Sequence, residues 1–322
     1  MRYPTLLPAM CVVAAVMQAQ TQELPPVPGR LIDIGGRRLH VMCSGTGTPT
    51  IVLEAGASSF AIDWTLVQRK AARKSRVCSY DRAGMGWSDP SPRGPRASTV
   101  EDLRKLLAAA GERPPYILVG ASRGGLFVRD YQADQPTEVA GLVLVDPSTE
   151  DRLFTRIDGQ DFLIADLTAE QVRSTVPTRP VAVPRRSPQT GAPFDRLPPD
   201  IYRMRLLLDE RLIASIPDTV SPTIIATAIE NERALLARLR TLRAGSEHPL
   251  RDMPMVVLTR GNVRNAGREA AHSAVAALST NSRHTVVAGA GHEIHLFAPA
   301  RVVQAVEDVV EAVRGRSSLP PR

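Results

Sequence analysis

Gly120-Ala121-Ser122-Arg123-Gly124 is the segment that most limits how this chain can fold. Ahead of it, Tyr116-Ile117-Leu118-Val119 is an apolar run of the kind a buried strand requires. Behind it a helical pattern runs to about Gln135, where Pro136 stops it. A serine nucleophile has to stand exposed at the end of a sheet, on a turn so tight that flanking side chains clash, and glycines on both flanks relieve the clash. A helix opening at Ser122 would point its N-terminal dipole at charge developing beside the hydroxyl, with the Arg123 N–H as one hydrogen-bond donor to it. Ser122 is therefore the candidate nucleophile; the plain alternative is an ordinary strand–helix turn.

A serine hydroxyl is a weak nucleophile at neutral pH and needs a base. Of the six histidines, His292 follows the glycine-rich Ala288-Gly289-Ala290-Gly291, just past an apolar segment, where a loop can swing imidazole toward Ser122. His295 lies three residues on, as a neighbour on the same turn. His40, His248, His272 and His284 stand in strand, loop or helix settings and read as packed or surface side chains.

The rest of the chain alternates strand and helix patterns. Leu31–Ile34 and Arg38–Cys43, joined at Gly35-Gly36, read as a hairpin; Ile51–Leu53 and Arg76–Tyr80 follow as strands. Trp64–Lys74 and Thr99–Ala110 read as helices, Val139–Val145 as another buried strand. Apolar strands alternating with helices predict a mostly parallel sheet covered on both faces. The rhythm breaks at about Glu150 and resumes at Met255–Thr259, followed by a helix near 268–278, a strand at His284–Val287 and a last helix from Pro299 to Val313. Between the two halves, residues 150–251 give helical patches, at Leu206–Ile213 and Ile224–Leu242 among others, and proline-rich loops over 176–199, with no clear strand. An insertion into one domain is the reading: core at 28–149 and 252–316, cap or lid at 150–251. The tail after Gly315 reads as disordered.

With these motifs in place the chain resembles the α/β-hydrolase superfamily, and more narrowly a bacterial serine hydrolase or esterase-like branch with a Tyr-Asp-Arg-Ala-Gly-x-Gly-x-Ser signature. Here that signature is Tyr80-Asp81-Arg82-Ala83-Gly84-Met85-Gly86-Trp87-Ser88, supported by Leu53-Glu54-Ala55-Gly56, Leu142–Asp146, Asn281-Ser282-Arg283-His284 and Gly289–His292. The resemblance implies an eight-stranded, mostly parallel sheet with helices on both faces and a largely helical cap inserted after the sixth strand. It implies a second oxyanion donor at the Ala57 N–H, beside that of Arg123, and the chain order serine, acid, histidine. Two positions depart from the pattern. Ala121 stands where histidine is frequent. After the seventh strand the sequence reads Thr259-Arg260-Gly261-Asn262, and the first carboxylate is Glu269. Some family members carry the acid after the sixth strand, which here ends on Asp146, so Asp146 is favoured; Glu269, Glu150 and Asp151 are the alternatives, and a turn cap is the plain reading of Asp146. Asp81 and Arg82 read as a loop-stabilising ion pair beside the site. In this fold the strands carrying Cys43 and Cys78 are neighbours, so an exported protein could bridge them.

The implied activity is hydrolysis of a small-molecule carboxylic ester through an acyl-enzyme on Ser122, with His292 as general base. Peptidase, thioesterase or carbon–carbon hydrolase activity on the same groups are alternatives, as is a ligand-binding module on a hydrolase scaffold. Serine at the nucleophile position disfavours epoxide hydrolase and haloalkane dehalogenase, whose patterns carry aspartate there. No cofactor is expected, and no Cys/His cluster has metal spacing.

The 40 Lys+Arg against 33 Asp+Glu give a net charge of +7. Arginines are scattered rather than massed on one helix, and only 4% of residues are aromatic, so no nucleic-acid partner is expected. Arginine density in the cap suggests a role, if any, in attracting anionic substrates. Arg2 followed by the short apolar run Leu6–Met17 reads as a signal peptide over residues 1–20, hence a secreted or periplasmic protein with no stable membrane insertion after cleavage. Oligomeric state is not readable.

Overall fold

In the computed structural model, residues 26–91, 99–151, 154–157, 160–184 and 186–320 are described. The apolar leader, residues 1–20, lies outside them. Eight strands form the central sheet: β1 (Arg30–Asp33), β2 (Arg38–Ser44), β3 (Thr50–Glu54), β4 (Val77–Tyr80), β5 (Tyr116–Ala121), β6 (Val139–Val145), β11 (Met255–Gly261) and β12 (Ser282–Ala288). Two further pairs, β7 (Phe154–Ile157) with β8 (Gln160–Leu163) and β9 (Val181–Ala182) with β10 (Thr219–Val220), lie in the insertion. The sheet order is β1-β2-β4-β3-β5-β6-β11-β12, with β2 antiparallel to both of its neighbours and every other pair parallel. The β1–β2 turn is made at Gly35 and Gly36, whose φ of +100° and +85° suits glycine, and the Asp33 carboxylate accepts both of their N–H groups.

Helices α1 (Thr65–Ala71) and α9 (Pro299–Gly315) cover one face; α2 (Thr99–Ala110), α3 (Gly124–Asp134) and α7 (Ala266–Ala276) cover the other. The strand period of two divides the side chains: Ile51, Leu53, Val119 and Val143 face Trp64, Val67, Val306 and Val309, while Val52, Leu118, Leu142 and Leu144 face Leu103, Leu106, Val128 and Tyr131. That is why β3, β5 and β6 read as unbroken apolar runs. A one-turn helix, α8 (Ile294–Phe297), joins β12 to α9 and was too short to register as a pattern. The tail described here is not loose: the Leu319 N–H donates to Asn281, Arg283 reaches the Pro320 carbonyl, and Leu319 packs on the core.

Between β6 and β11 run α4 (Ala169–Thr175), α5 (Pro199–Ser215) and α6 (Pro222–Ala244), together with the β7–β8 and β9–β10 pairs. The sequence suggested no strand there. Pairs of two to four residues with exposed members such as Val181 and Ala182 give neither an apolar run nor a sustained alternation. Phe194, Leu197, Ile201 and Leu208 of this segment pack on Phe60, Ile62, Met85, Trp87 and Leu296. Arg205 is wholly buried at that seam, with its Nε 3.1 Å from Asp63 and its guanidinium 3.5 Å from the centre of the Phe194 ring. Cys43 and Cys78 are direct register partners across β2 and β4, and their sulfurs are bonded.

Candidate active site

Ser122 sits between β5 and α3 with φ +52°, a left-handed conformation rare outside glycine. The turn is held by hydrogen bonds on both sides: the Ser122 N–H to the Val145 carbonyl at 3.0 Å, and the Ser148 N–H to the Ser122 carbonyl at 2.8 Å. The two glycines are required by contact. A Cβ on Gly120 would lie 2.5 Å from the Gly124 carbonyl oxygen, and one on Gly124 would lie 2.6 Å from that of Glu54. The helix proper begins at Gly124, with Arg123 as its cap, rather than at Ser122.

His292 follows β12 and its glycine turn. Its Nε2 is 2.9 Å from Ser122 Oγ and its Nδ1 is 2.5 Å from Asp146 Oδ2. Asp146 closes β6 on a second left-handed residue, φ +43°, its N–H bound to the Leu258 carbonyl at 2.7 Å. The Arg260 N–H donates to Asp146 Oδ1 at 3.0 Å, and the Arg260 Nε lies 3.5 Å from Oδ2. Burial pushes the Asp146 carboxyl up, but the hydrogen bonds from His292 and the Arg260 N–H and the adjacent guanidinium outweigh it and hold the group below the usual carboxylate range. The other candidate carboxylates are engaged elsewhere: Glu150 with Arg129, Asp151 with Arg243, and Glu269 on α7 with Arg264.

A buried chain braces the turn after Asp146. His272 Nε2 donates to the Pro147 carbonyl at 2.8 Å, so its Nδ1 accepts from Thr259 Oγ1, which in turn accepts from His284 Nε2. Burial pushes His272 down to about 4, which keeps it neutral, and the Pro147 carbonyl, which can only accept, fixes that tautomer. His295 is buried behind His292, stacked on Trp64 at 4.6 Å, and burial pushes it down to about 3.

Asp81 and Arg82 do not pair with each other. Asp81 Oδ2 holds His40 Nδ1 at 2.6 Å and its Oδ1 accepts the Ala61 N–H. Arg82 pairs with Glu54 and donates to the carbonyls of Ala55 at 2.7 Å, Gly56 at 2.5 Å and Ala57 at 3.4 Å. Burial raises the Glu54 carboxyl, against Arg82 and the Tyr80 hydroxyl. Three successive carbonyls thus turn to Arg82, and an ideal Cβ on Gly56 would stand 3.5 Å from Ser122 Cβ, so the loop carrying Ala57 lies against the turn that carries Ser122. Nothing in the local sequence pointed to Glu54 as the shared partner of Arg82 and the Tyr80 hydroxyl, because their meeting depends on β3 and β4 being neighbours. Another residue beyond sequence reach is Glu232 of α6, whose carboxylate pairs with the Arg123 side chain.

Several of the insertion's arginines are drawn into ion pairs: Arg186 with Asp209, Arg205 with Asp63, Arg238 with Asp130 and Asp134, Arg240 with Asp166, and Arg243 with Asp151. The one metal-type grouping among the described residues is Cys43, Cys78 and Glu112, and its two sulfurs are consumed by their bond. No helix among the described residues is long and apolar enough to cross a membrane.

The chain is similar to a protein of Hormonema carpetanum named "Probable transporter efuK", at 40% identity over 129 residues, 37% of this chain and 18% of that protein. It spans less than half the length of the curated relatives it matches. In shape it is similar to a thermophilic esterase from Thermogutta terrifontis (TM-score 0.55, 19% identity, 86% of this chain and 94% of that one). It is also similar to a laboratory-evolved variant of potato epoxide hydrolase (TM-score 0.60, 15% identity, 88% and 98%). At these identities the likeness concerns the fold alone. Residues 41–305 match the sequence pattern of the alpha/beta hydrolase family, and with the sheet order and the strand–serine–helix turn already described, the chain belongs to that family.

Proposed function

We propose that this protein is a serine hydrolase of carboxylic esters. The observation that carries the reading is the unbroken relay from Ser122 Oγ through His292 to Asp146, with contacts of 2.9 Å and 2.5 Å. His292 takes the Ser122 proton as Oγ attacks the ester carbonyl, and returns it to the leaving alcohol. Water then attacks the acyl-enzyme through the same base. Asp146, held ionised, orients the imidazole and stabilises its protonated form. The backbone N–H groups of Arg123 and Ala57 receive the oxyanion, and Arg82 keeps the Ala57 loop in register by occupying its carbonyls. The cross-strand disulfide supports an exported, secreted or periplasmic setting.

Covalent labelling by a fluorophosphonate probe, with hydrolysis of short p-nitrophenyl esters, tests the reading. Wild type should label and turn over, and Ser122→Ala should do neither while keeping its far-UV circular dichroism. A Ser122→Ala protein with undiminished turnover would refute the mechanism; failure of wild type to label would favour a ligand-binding module.

A further inference from the structure

The direction of α6 says which substrate the site is built for. Glu232 of α6 meets Arg123 at the start of α3, Leu236 packs on Leu126, and Arg238 reaches Asp130 at 3.1 Å and Asp134 at 3.3 Å near the end of α3. Contacts advance together along both helices, so they run parallel. Residues of α6 that precede Glu232 therefore extend past the N-terminus of α3, beyond the turn that carries Ser122. That overhang, residues 222–231, is about 15 Å long at roughly 1.5 Å per residue.

The face of α6 that lies on α3 carries Leu239, Leu236 and Glu232; at helical spacing it continues through Ile229, Ala228 and Ile225. In the first half of α6 none of these is buried: Ile225, Ala228 and Ile229 are half-buried, and Ile224 beside them is 58% exposed. From Thr219 to Ile229 there is no charged residue in a chain whose composition is 23% charged. A helix face that begins at the ion pair touching the residue after the nucleophile, and continues as isoleucine and alanine with no core beneath it, is continuous with the reaction centre.

The charge at its inner end is cancelled. Arg123, next to Ser122, would favour an acidic substrate if its guanidinium stood alone, but the Glu232 carboxylate neutralises it. Desolvating a carboxylate or phosphate there gains no unpaired cation, whereas desolvating a methylene chain against Ile225 and Ile229 gains roughly 25 cal/mol per Å².

Building on the serine ester hydrolase reading, we propose that the N-terminal half of α6 is the binding wall for an aliphatic chain of the substrate, and that the substrates are uncharged esters with chains of medium length. The apolar part of that face, from Ile224 to Glu232, spans about 12 Å, the length of an extended chain of roughly eight to ten carbons. Two arginines of the insertion, Arg205 and Arg238, instead tie it to the core through Asp63 and through Asp130 and Asp134.

Two ester series test this: p-nitrophenyl esters from acetate to laurate, and acetate esters of straight-chain alcohols of the same lengths. The wild-type kcat/KM should rise about tenfold or more with length in one series, which identifies whether acyl or alcohol chain lies on α6, and level off near ten carbons. Ile225→Ser/Ile229→Ser should remove most of that gain, leaving a profile that is nearly flat with chain length. Thr223→Ala, on the opposite exposed face, should leave the profile unchanged. Flat or falling profiles in both series, or an equal loss at every length in the double variant, would overturn the proposal. If fluorophosphonates of all chain lengths fail to label Ser122 and no ester is turned over, the hydrolase reading falls and the proposal with it. Labelling at rates independent of chain length removes the proposal alone.

Discussion

Arg205→Met should loosen the attachment of the insertion to the core in a pH-dependent way. Arg205 is fully buried, 3.1 Å from Asp63 and 3.8 Å from Asp209, and also donates to Gln189. Asp209 keeps Arg186 and the Gln189 N–H when Arg205 is lost, so the uncompensated charge is Asp63. Burial already pushes Asp63 from its ordinary 3.8 up to about 6, with Arg205 opposing the rise. A folded pKa above the unfolded one means the folded state holds the proton more tightly. Its contribution to stability is complete at low pH and is lost as pH climbs from about 4 through about 6, an amount of roughly 3 kcal/mol in the native protein. Without Arg205 the window extends higher. At pH 8 the substitution leaves a buried, unpaired carboxylate, a loss of roughly 3–5 kcal/mol. At pH 5 the carboxyl is protonated and less than about half of that loss should remain. Urea melts or calorimetry at the two pH values measure it; at pH 8 the midpoint should drop by roughly 6–10 °C. Asp63→Leu in the same chain should restore most of the stability at pH 8. A loss that is the same at both pH values, or below about 1 kcal/mol at pH 8, would refute the reasoning.

Further outcomes follow from the site. Asp146→Asn should keep the fold but lower kcat by roughly 10³–10⁴-fold, because the amide favours the wrong imidazole tautomer, while Glu269→Gln should stay within about twofold in the same ester assay. Arg82→Met should lower kcat by roughly 10–100-fold with a smaller effect on KM, since it releases the Ala57 loop without touching the ester; an unchanged kcat would show that the loop needs no clamp. Cys43→Ser/Cys78→Ser opens a loop of sequence separation 35 and should cost about 4 kcal/mol in a denaturant melt on the chain-entropy estimate. Native protein denatured without reductant should show no reactive thiol at these two positions.

Local sequence fixed the elements whose physics is local. The apolar runs of β3, β5 and β6 suit strands buried on both faces, and a Cβ on Gly120 would meet the Gly124 carbonyl at 2.5 Å within the turn, whereas the limit on Gly124 is set by the Glu54 carbonyl of β3. The glycine turn before His292 was legible for the same reason. What stayed hidden depends on neighbours distant in the chain. Arg82 finds Glu54 because β3 and β4 pair. Thr259 links two histidines because β11, β12 and α7 converge, and Arg123 meets Glu232 because α6 lies along α3. The insertion's strands escaped notice because each is too short for a period to show.

The choice of Asp146 shows where that boundary falls. Sequence alone could say that no carboxylate stands directly after β11 and that one closes β6. Only the parallel packing of β6 against β11, which puts the Arg260 N–H on one carboxylate oxygen and leaves the other for His292, decides which carboxylate meets His292. Likewise, sequence by itself determined the charge of +7, but the fold decided its use, since burying an arginine requires a carboxylate beside it. With Arg205 buried against Asp63 at the seam, Arg186 and Arg243 paired to carboxylates within the insertion, and Arg123 neutralised by Glu232, much of the positive charge in composition is cancelled where it is folded, and the face of α6 proposed to bind substrate carries uncharged side chains.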